Sequence, residues 1–118
     1  NAKGTGTEIN DIAESNAQKT VYGSHSYKLA VSSSKSSIGH MLGASGAVEL
    51  IVCIKLTDES IVPPTINLKN IDSRIDPKLN LTPNKFQEKD VNAAISNTFG
   101  FGGHNVSLLL KKWPTEKE

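Results

Sequence analysis

Cysteine, methionine and tryptophan each occur once in 118 residues, and aromatic side chains make up only 5%. The lone thiol, Cys53, excludes an intrachain disulfide and a cysteine-rich metal centre, and it suits a reducing compartment. An excess of one charge is also lacking: 13 basic and 12 acidic residues leave a formal net charge of +1. A nucleic-acid surface needs a clustered basic excess to displace counterions, so that class is disfavoured. No long uncharged apolar run occurs. The most apolar stretch, Ile38 to Leu56, carries His40, Glu49 and three glycines, which reads as a buried helix of a soluble chain rather than a membrane span. No signal-peptide pattern opens the sequence. It starts on Asn1 rather than Met and runs straight into a glycine-rich motif, so a natural start further upstream is expected, with a strand just before Asn1. What remains, 36% hydrophobic and 21% charged, fits a globular domain or part of one.

Residues 1–10 are rich in Gly, Thr and Asn and read as a loop. Asp11 caps a predicted helix over about Ile12 to Val21, closed by Gly23. Tyr27 to Ser32 is a predicted buried strand. Serines around Lys35 offer caps for one long helix over about Ser37 to Thr57. That helix is apolar on almost every side and belongs inside a larger body. Gly39, Gly43 and Gly46 lie near one face of it, and close approach of another backbone is expected there. Pro63 and Pro64 hold an extended path and exclude a central strand. Asn70 to Pro77 is polar loop, and Lys78 to Thr82 a short strand. Val91 to Thr98 and Asn105 to Lys112 are strands joined antiparallel through Phe99-Gly100-Phe101-Gly102-Gly103. The polar tail after Pro114 reads as a true C-terminus. The order is α/β, with a mixed sheet and a buried helix.

Three segments carry the chemistry: Asn1-Ala2-Lys3-Gly4-Thr5-Gly6-Thr7, Ser34-Lys35-Ser36-Ser37-Ile38-Gly39-His40, and Asn97-Thr98-Phe99-Gly100-Phe101-Gly102-Gly103-His104-Asn105. In doubly wound folds, loops at strand ends converge on the ligand crevice, so these three fit one site.

In order and spacing, these segments resemble the three C-terminal signatures of the β-ketoacyl synthases: an Asn-Ala-His-Gly-Thr loop, a Lys-Ser-x-x-Gly-His segment and a Gly-Phe-Gly-Gly turn. Pro63-Pro64-Thr65-Ile66-Asn67-Leu68 resembles a further family segment, and the likeness runs from residue 1 to about 113. It is closer to the discrete type II synthases (the KAS I/II-like condensing enzymes) than to polyketide modules. The resemblance implies the C-terminal half of a thiolase-like fold, with residues 1–118 as one C-terminal domain and the nucleophilic cysteine in an N-terminal half outside this sequence. It implies decarboxylative Claisen condensation of an acyl-enzyme with malonyl-acyl carrier protein, as an acyltransferase of fatty-acid elongation. It implies no metal and no cofactor beyond the pantetheine arm of the carrier. Acyl carrier protein and a homodimer mate are the implied partners, in a bacterial cytoplasm or a plastid-like organelle.

Residue by residue, the resemblance makes His40 a donor for the thioester oxygen. Placed in the first turn of the long helix, it is expected neutral, with one N–H. Lys35 orders the site. Glu14 and Glu49 are supporting carboxylates, and either could pair with Lys35. Thr5 and Thr7 bond the pantetheine arm. Phe101 gates the site, and its backbone N–H helps hold the acyl oxyanion; Gly100 and Gly102 count with Thr5 and Thr7 as substrate-binding residues and let that loop swing. Lys3 departs from the pattern, since it stands where the family has its first catalytic histidine. An ammonium can attract an enolate oxygen, but on a longer, charged and flexible stem, so weakened decarboxylation is expected. Cys53, mid-helix among apolar neighbours, is a core residue and no substitute nucleophile; the chain alone is expected to be inactive and prone to aggregate. His25 and His104 are surface or loop residues. Two other readings stay open: a ketosynthase of a polyketide synthase, and a non-catalytic partner subunit resembling a chain-length factor, which Lys3 favours. A thiolase, which shares the fold but uses other loop signatures, is discounted.

Overall fold

The computed structural model describes residues 1–114. Helix α1 spans Glu8–Tyr22, α2 Lys35–Ile38 and α3 Ser45–Glu59. Strands β1 (Ile61–Val62) and β2 (Gln87–Glu88) form one antiparallel pair, and β3 (Ala93–Gly100) and β4 (His104–Lys111) form another. The predicted hairpin is thus present, to within two residues at each end. Its turn needs backbone that only glycine adopts cheaply, since Gly102 and Gly103 both have φ +83.

In place of the expected mixed sheet the strands form two separate two-stranded sheets, and further segments join the hairpin only through isolated backbone hydrogen bonds. Asn1 N donates to Ile95 O at 2.6 Å and Asn97 N to Asn1 O at 3.0 Å, the pattern of a parallel bridge. Ala2 N donates to Ser32 O, and Val31 N to Asn80 O, each at 2.8 Å. The site loop at residues 1–7 therefore starts beside β3, with the Ser32–Lys35 loop next to it.

Helix α1 begins four residues earlier than expected. Thr7 precedes it, so Asp11 lies inside the first turn rather than at the cap, with Glu8 beside the positive helix end. Gly23, at φ +53, closes it as expected. The strand expected over Tyr27–Ser32 is replaced by a 3-10 turn over Gly23–Lys28. Ser26 Oγ donates to Gly23 O at 2.6 Å and holds that turn, a local hydroxyl bond that competes with strand geometry. Only Ala30 remains strand-like, bridged to Asn80. The strand expected at Lys78–Thr82 shrinks to that same bridge, because Thr82 takes φ +49 and gives its N–H to the Asn80 side chain.

The single long helix expected over Ser37–Thr57 is in fact α2, a 3-10 turn over Leu42–Ala44, and α3. Gly39 stops α2 at φ +77 and Leu42 takes φ +50, neither of which continues a right-handed helix. His40 accordingly lies in the connection and not in the first turn of a helix. Within this chain nothing approaches Gly39, Gly43 or Gly46, where a Cβ would meet open space. The close approach is at Gly4, where a Cβ would collide with the Ser33 side chain. Helix α3 is not buried all round. Ser45, Glu49, Cys53, Leu56 and Thr57 form its covered stripe against β3 and β4, while Ile51 and Ile54 are 57% and 48% exposed. Among the described residues no helix is long and apolar enough to cross a membrane.

Candidate functional site

Loop 1–7 is fastened from three sides. Ser33 Oγ donates to Gly4 O at 2.9 Å. Asn1 Oδ1 accepts from Ser34 N and Ser34 Oγ at 3.2 and 2.9 Å. Glu14 is 6% exposed and accepts from the backbone N–H of Lys3 and of Gly4 at 3.1 and 3.2 Å. An ionised carboxylate makes these bonds stronger than neutral ones. The Asn97 amide, on β3, approaches the same carboxylate at 3.4 Å. Glu14 therefore ties together the first loop, α1 and β3.

Lys35 turns inward from the start of α2 and pairs with Glu49 of α3, both buried. Of the two carboxylates that could have met Lys35, the structure selects Glu49. Two buried opposite charges anchor the Ser34–His40 segment on α3, and removing one would leave the other uncompensated. Among the described residues Glu49 Oε2 has no hydrogen-bond partner.

His40 is exposed, but one face of its ring is occupied. Leu42 N–H donates to Nδ1 at 3.0 Å, and Ser45 Oγ lies 3.2 Å from the same nitrogen. A backbone N–H can only donate, so Nδ1 carries a lone pair and the neutral ring holds its proton on Nε2. The tautomer is thus set by a loop contact at Nδ1 and not by a helix terminus.

A cavity of about 620 Å³ is lined by Thr5, Thr7, Glu14, Lys35, Ser36 and His40, among others. The hydroxyls of Thr5 and Thr7 are 3.1 Å apart. The first two signature segments thus meet on one wall. The third joins less directly. The Lys3 ammonium lies 5.7 Å from the Phe99 ring centroid, a cation–π contact. Gly100, Phe101 and Gly102 do not line the cavity, and Phe101 stands fully exposed at the hairpin tip. Cys53 is 0% exposed within α3, as expected of a core residue, and His25 and His104 are exposed. Sequence reasoning gave Asn1, Asn97 and Ser45 no role of their own beyond membership of family-like segments, and it missed Ser33. Ser45 left a faint signal, as a hydroxyl among Gly and Ala five residues after a histidine.

Comparison with known proteins bears on this arrangement. Residues 1–69 match the family model described as beta-ketoacyl synthase, C-terminal domain. The 3-oxoacyl-[acyl-carrier-protein] synthase 2 of Synechocystis is 48% identical over 113 residues, which are 96% of this chain and 27% of that protein. A beta-ketoacyl synthase from Burkholderia phymatum superposes with TM-score 0.87 at 35% identity, covering 96% of this chain and 27% of its own. A type II polyketide ketosynthase, solved in complex with its acyl-carrier protein, superposes with TM-score 0.88 at 32% identity over 93% of this chain and 26% of its own. The chain thus spans about a quarter of the length of the relatives it matches.

Proposed function

From a chain that belongs to the β-ketoacyl synthase family and has its thiolase-like α/β fold, we infer that the protein elongates an acyl chain by decarboxylative Claisen condensation with malonyl-acyl carrier protein. Residues 1–118 form the C-terminal domain of this acyltransferase. A cysteine outside this sequence takes the acyl group from its thioester and releases the carrier thiol. The malonyl thioester loses carbon dioxide, and its α-carbon attacks the acyl carbonyl. A carbon–carbon bond forms, the carbon–sulfur bond to cysteine breaks, and the product stays on the carrier. Negative charge gathers on the malonyl thioester oxygen during decarboxylation, so a fixed donor there lowers the barrier.

One observation carries this reading: Nδ1 of His40 is filled by Leu42 N–H, which leaves Nε2–H as the donor of a residue on the cavity wall that Thr5 and Lys35 share. Thr5 and Thr7 bond the pantetheine arm, the only carrier group the reaction uses, with no metal or further cofactor. Lys35 and Glu49 hold the histidine segment, Glu14 holds the loop of Lys3, and Phe101 with Gly100 and Gly102 closes over the acyl group. The partners are acyl carrier protein and a second copy of the synthase, in a bacterial cytoplasm or plastid-like organelle.

The test is a chimera in which this chain replaces the matching quarter of the Synechocystis synthase. Condensation of acyl- and malonyl-carrier substrates is expected, and His40→Ala should cut malonyl decarboxylation by about 10²- to 10³-fold. A chimera that makes no product, and whose decarboxylation rate His40→Ala leaves unchanged, overturns the reading. Lys3 favours a second one, a partner subunit that keeps the fold without the chemistry. Activity that appears only with Lys3→His would assign it.

A further inference from the structure

Ser45 opens α3, is 4% exposed, and stands outside the signature segments. Its Oγ accepts Met41 N–H at 2.8 Å and lies 3.2 Å from His40 Nδ1. Because Leu42 N–H already points at Nδ1, that nitrogen is an acceptor. The one proton of the Ser45 hydroxyl is then the group that faces it, and the hydroxyl oxygen serves Met41. Both backbone bonds belong to a stretch held in costly geometry, with Leu42 at φ +50, a left-handed conformation that a branched side chain rarely adopts. Such a conformation persists only where its surroundings over-determine it. Here the surroundings are one buried hydroxyl, fixed in the first turn of α3, and one ring nitrogen.

We propose that Ser45 is a positioning residue: through Nδ1 it holds the ring orientation and the Nε2–H tautomer of His40. The Leu42 N–H alone would favour the same tautomer but leave the exposed ring freer to rotate about its bond to the chain. The Ser45 hydroxyl shares the same lone pair in a three-centre bond, and because it is fixed in a buried helix turn it restricts that rotation. What Nε2–H does for a substrate rests on the synthase reading; the tautomer itself does not.

The experiment is nitrogen-15 correlation spectroscopy of the histidine rings in the chimera, labelled at histidine, with His40 assigned by His40→Gln. The expected spectrum shows His40 in a single Nε2–H form. Ser45→Ala should add a clear Nδ1–H population or broaden the ring signals through exchange, and Ser45→Thr should restore the native pattern. In the chimera, Ser45→Ala should lower kcat by about tenfold, as disorienting a donor costs less than deleting it, with little change in KM for malonyl-carrier protein. An Nδ1–H form in the unsubstituted chimera, or a His40 spectrum untouched by Ser45→Ala, overturns the proposal. The first of these outcomes needs no variant to fold. A chimera without condensation activity would instead sink the synthase reading, while the spectrum would still decide the role of Ser45.

Discussion

Lys35 and Glu49 face each other with side chains 6% and 1% exposed, and Glu49 keeps one buried oxygen without a partner. Desolvating two charges offsets most of their attraction, so the pair adds little net stability, while breaking it is costly. Glu49→Leu alone or Lys35→Met alone should destabilise the chain by about 3–5 kcal/mol, and the two together by much less. Urea unfolding of the four proteins in a double-mutant cycle measures this; additive losses would refute it. The sequence showed Lys35 and His40 through their motif but could not choose between Glu14 and Glu49 as the lysine's partner. Both carboxylates sit on helices, and which one faces Lys35 depends on how those helices dock. Ser45 was hidden for a related reason, since its partner nitrogen reaches it only because the helix breaks at Gly39 and Leu42.

That break sets the lesson at the level of elements. The hairpin was legible because its residues pair with near neighbours and its glycines mark the turn. The expected long helix was not, because apolar content says where a segment is buried, whereas its interruptions rest on Leu42 at φ +50 and on hydrogen bonds to side chains. The strand lost to the Gly23–Lys28 turn has a similar cause. Helix α1 is joined to the polar loop through Asp76, which accepts from Lys19 Nζ at 2.6 Å and Tyr27 OH at 2.9 Å, and from Lys78 N at 3.0 Å. The Lys19 bond foremost, then the Lys78 and Tyr27 bonds, hold the Asp76 carboxyl down to about 2. An acid depressed in the folded state contributes stability above the unfolded value of about 3.9 and loses it as pH falls through the folded one. Melting temperature should therefore decline between about pH 4 and pH 2, and Asp76→Asn should lower the plateau and shrink that decline. Asp72, also held at about 2 by Arg74, supplies the residual slope. An Asp76→Asn protein with the full native decline would show that the joint contributes nothing.

At the scale of the whole molecule, α3 presents two faces of unequal fate. The stripe from Ser45 to Thr57 is covered by the hairpin, and the opposite side leaves Ile51 and Ile54 largely in water. Val106, Leu108 and Leu109 on β4 are also exposed. Apolar surface of this extent marks an interaction face or an aggregation hazard. The isolated chain is expected to self-associate as its concentration rises, and Ile51→Lys with Ile54→Lys should reduce that association without lowering the melting temperature. Sedimentation velocity across a concentration series reads this directly, and identical behaviour of native and doubly substituted chains would remove α3 from the interface.

The parallel bridge of Asn1 to β3 also has a kinetic side. Its bond to Ile95 spans 94 positions of the chain, whereas the β3–β4 hairpin closes a three-residue turn. Closing so long a loop forfeits chain entropy before any other contact repays it. The hairpin can thus form early, and the loop bearing Lys3 and Thr5 docks late. Late-docking segments are also among the first to open. Amide protons of Ala2 and of Asn97, whose N–H faces Asn1 rather than β4, should therefore exchange with solvent sooner than those bonded between β3 and β4, so that loop 1–7 undocks well before the hairpin melts.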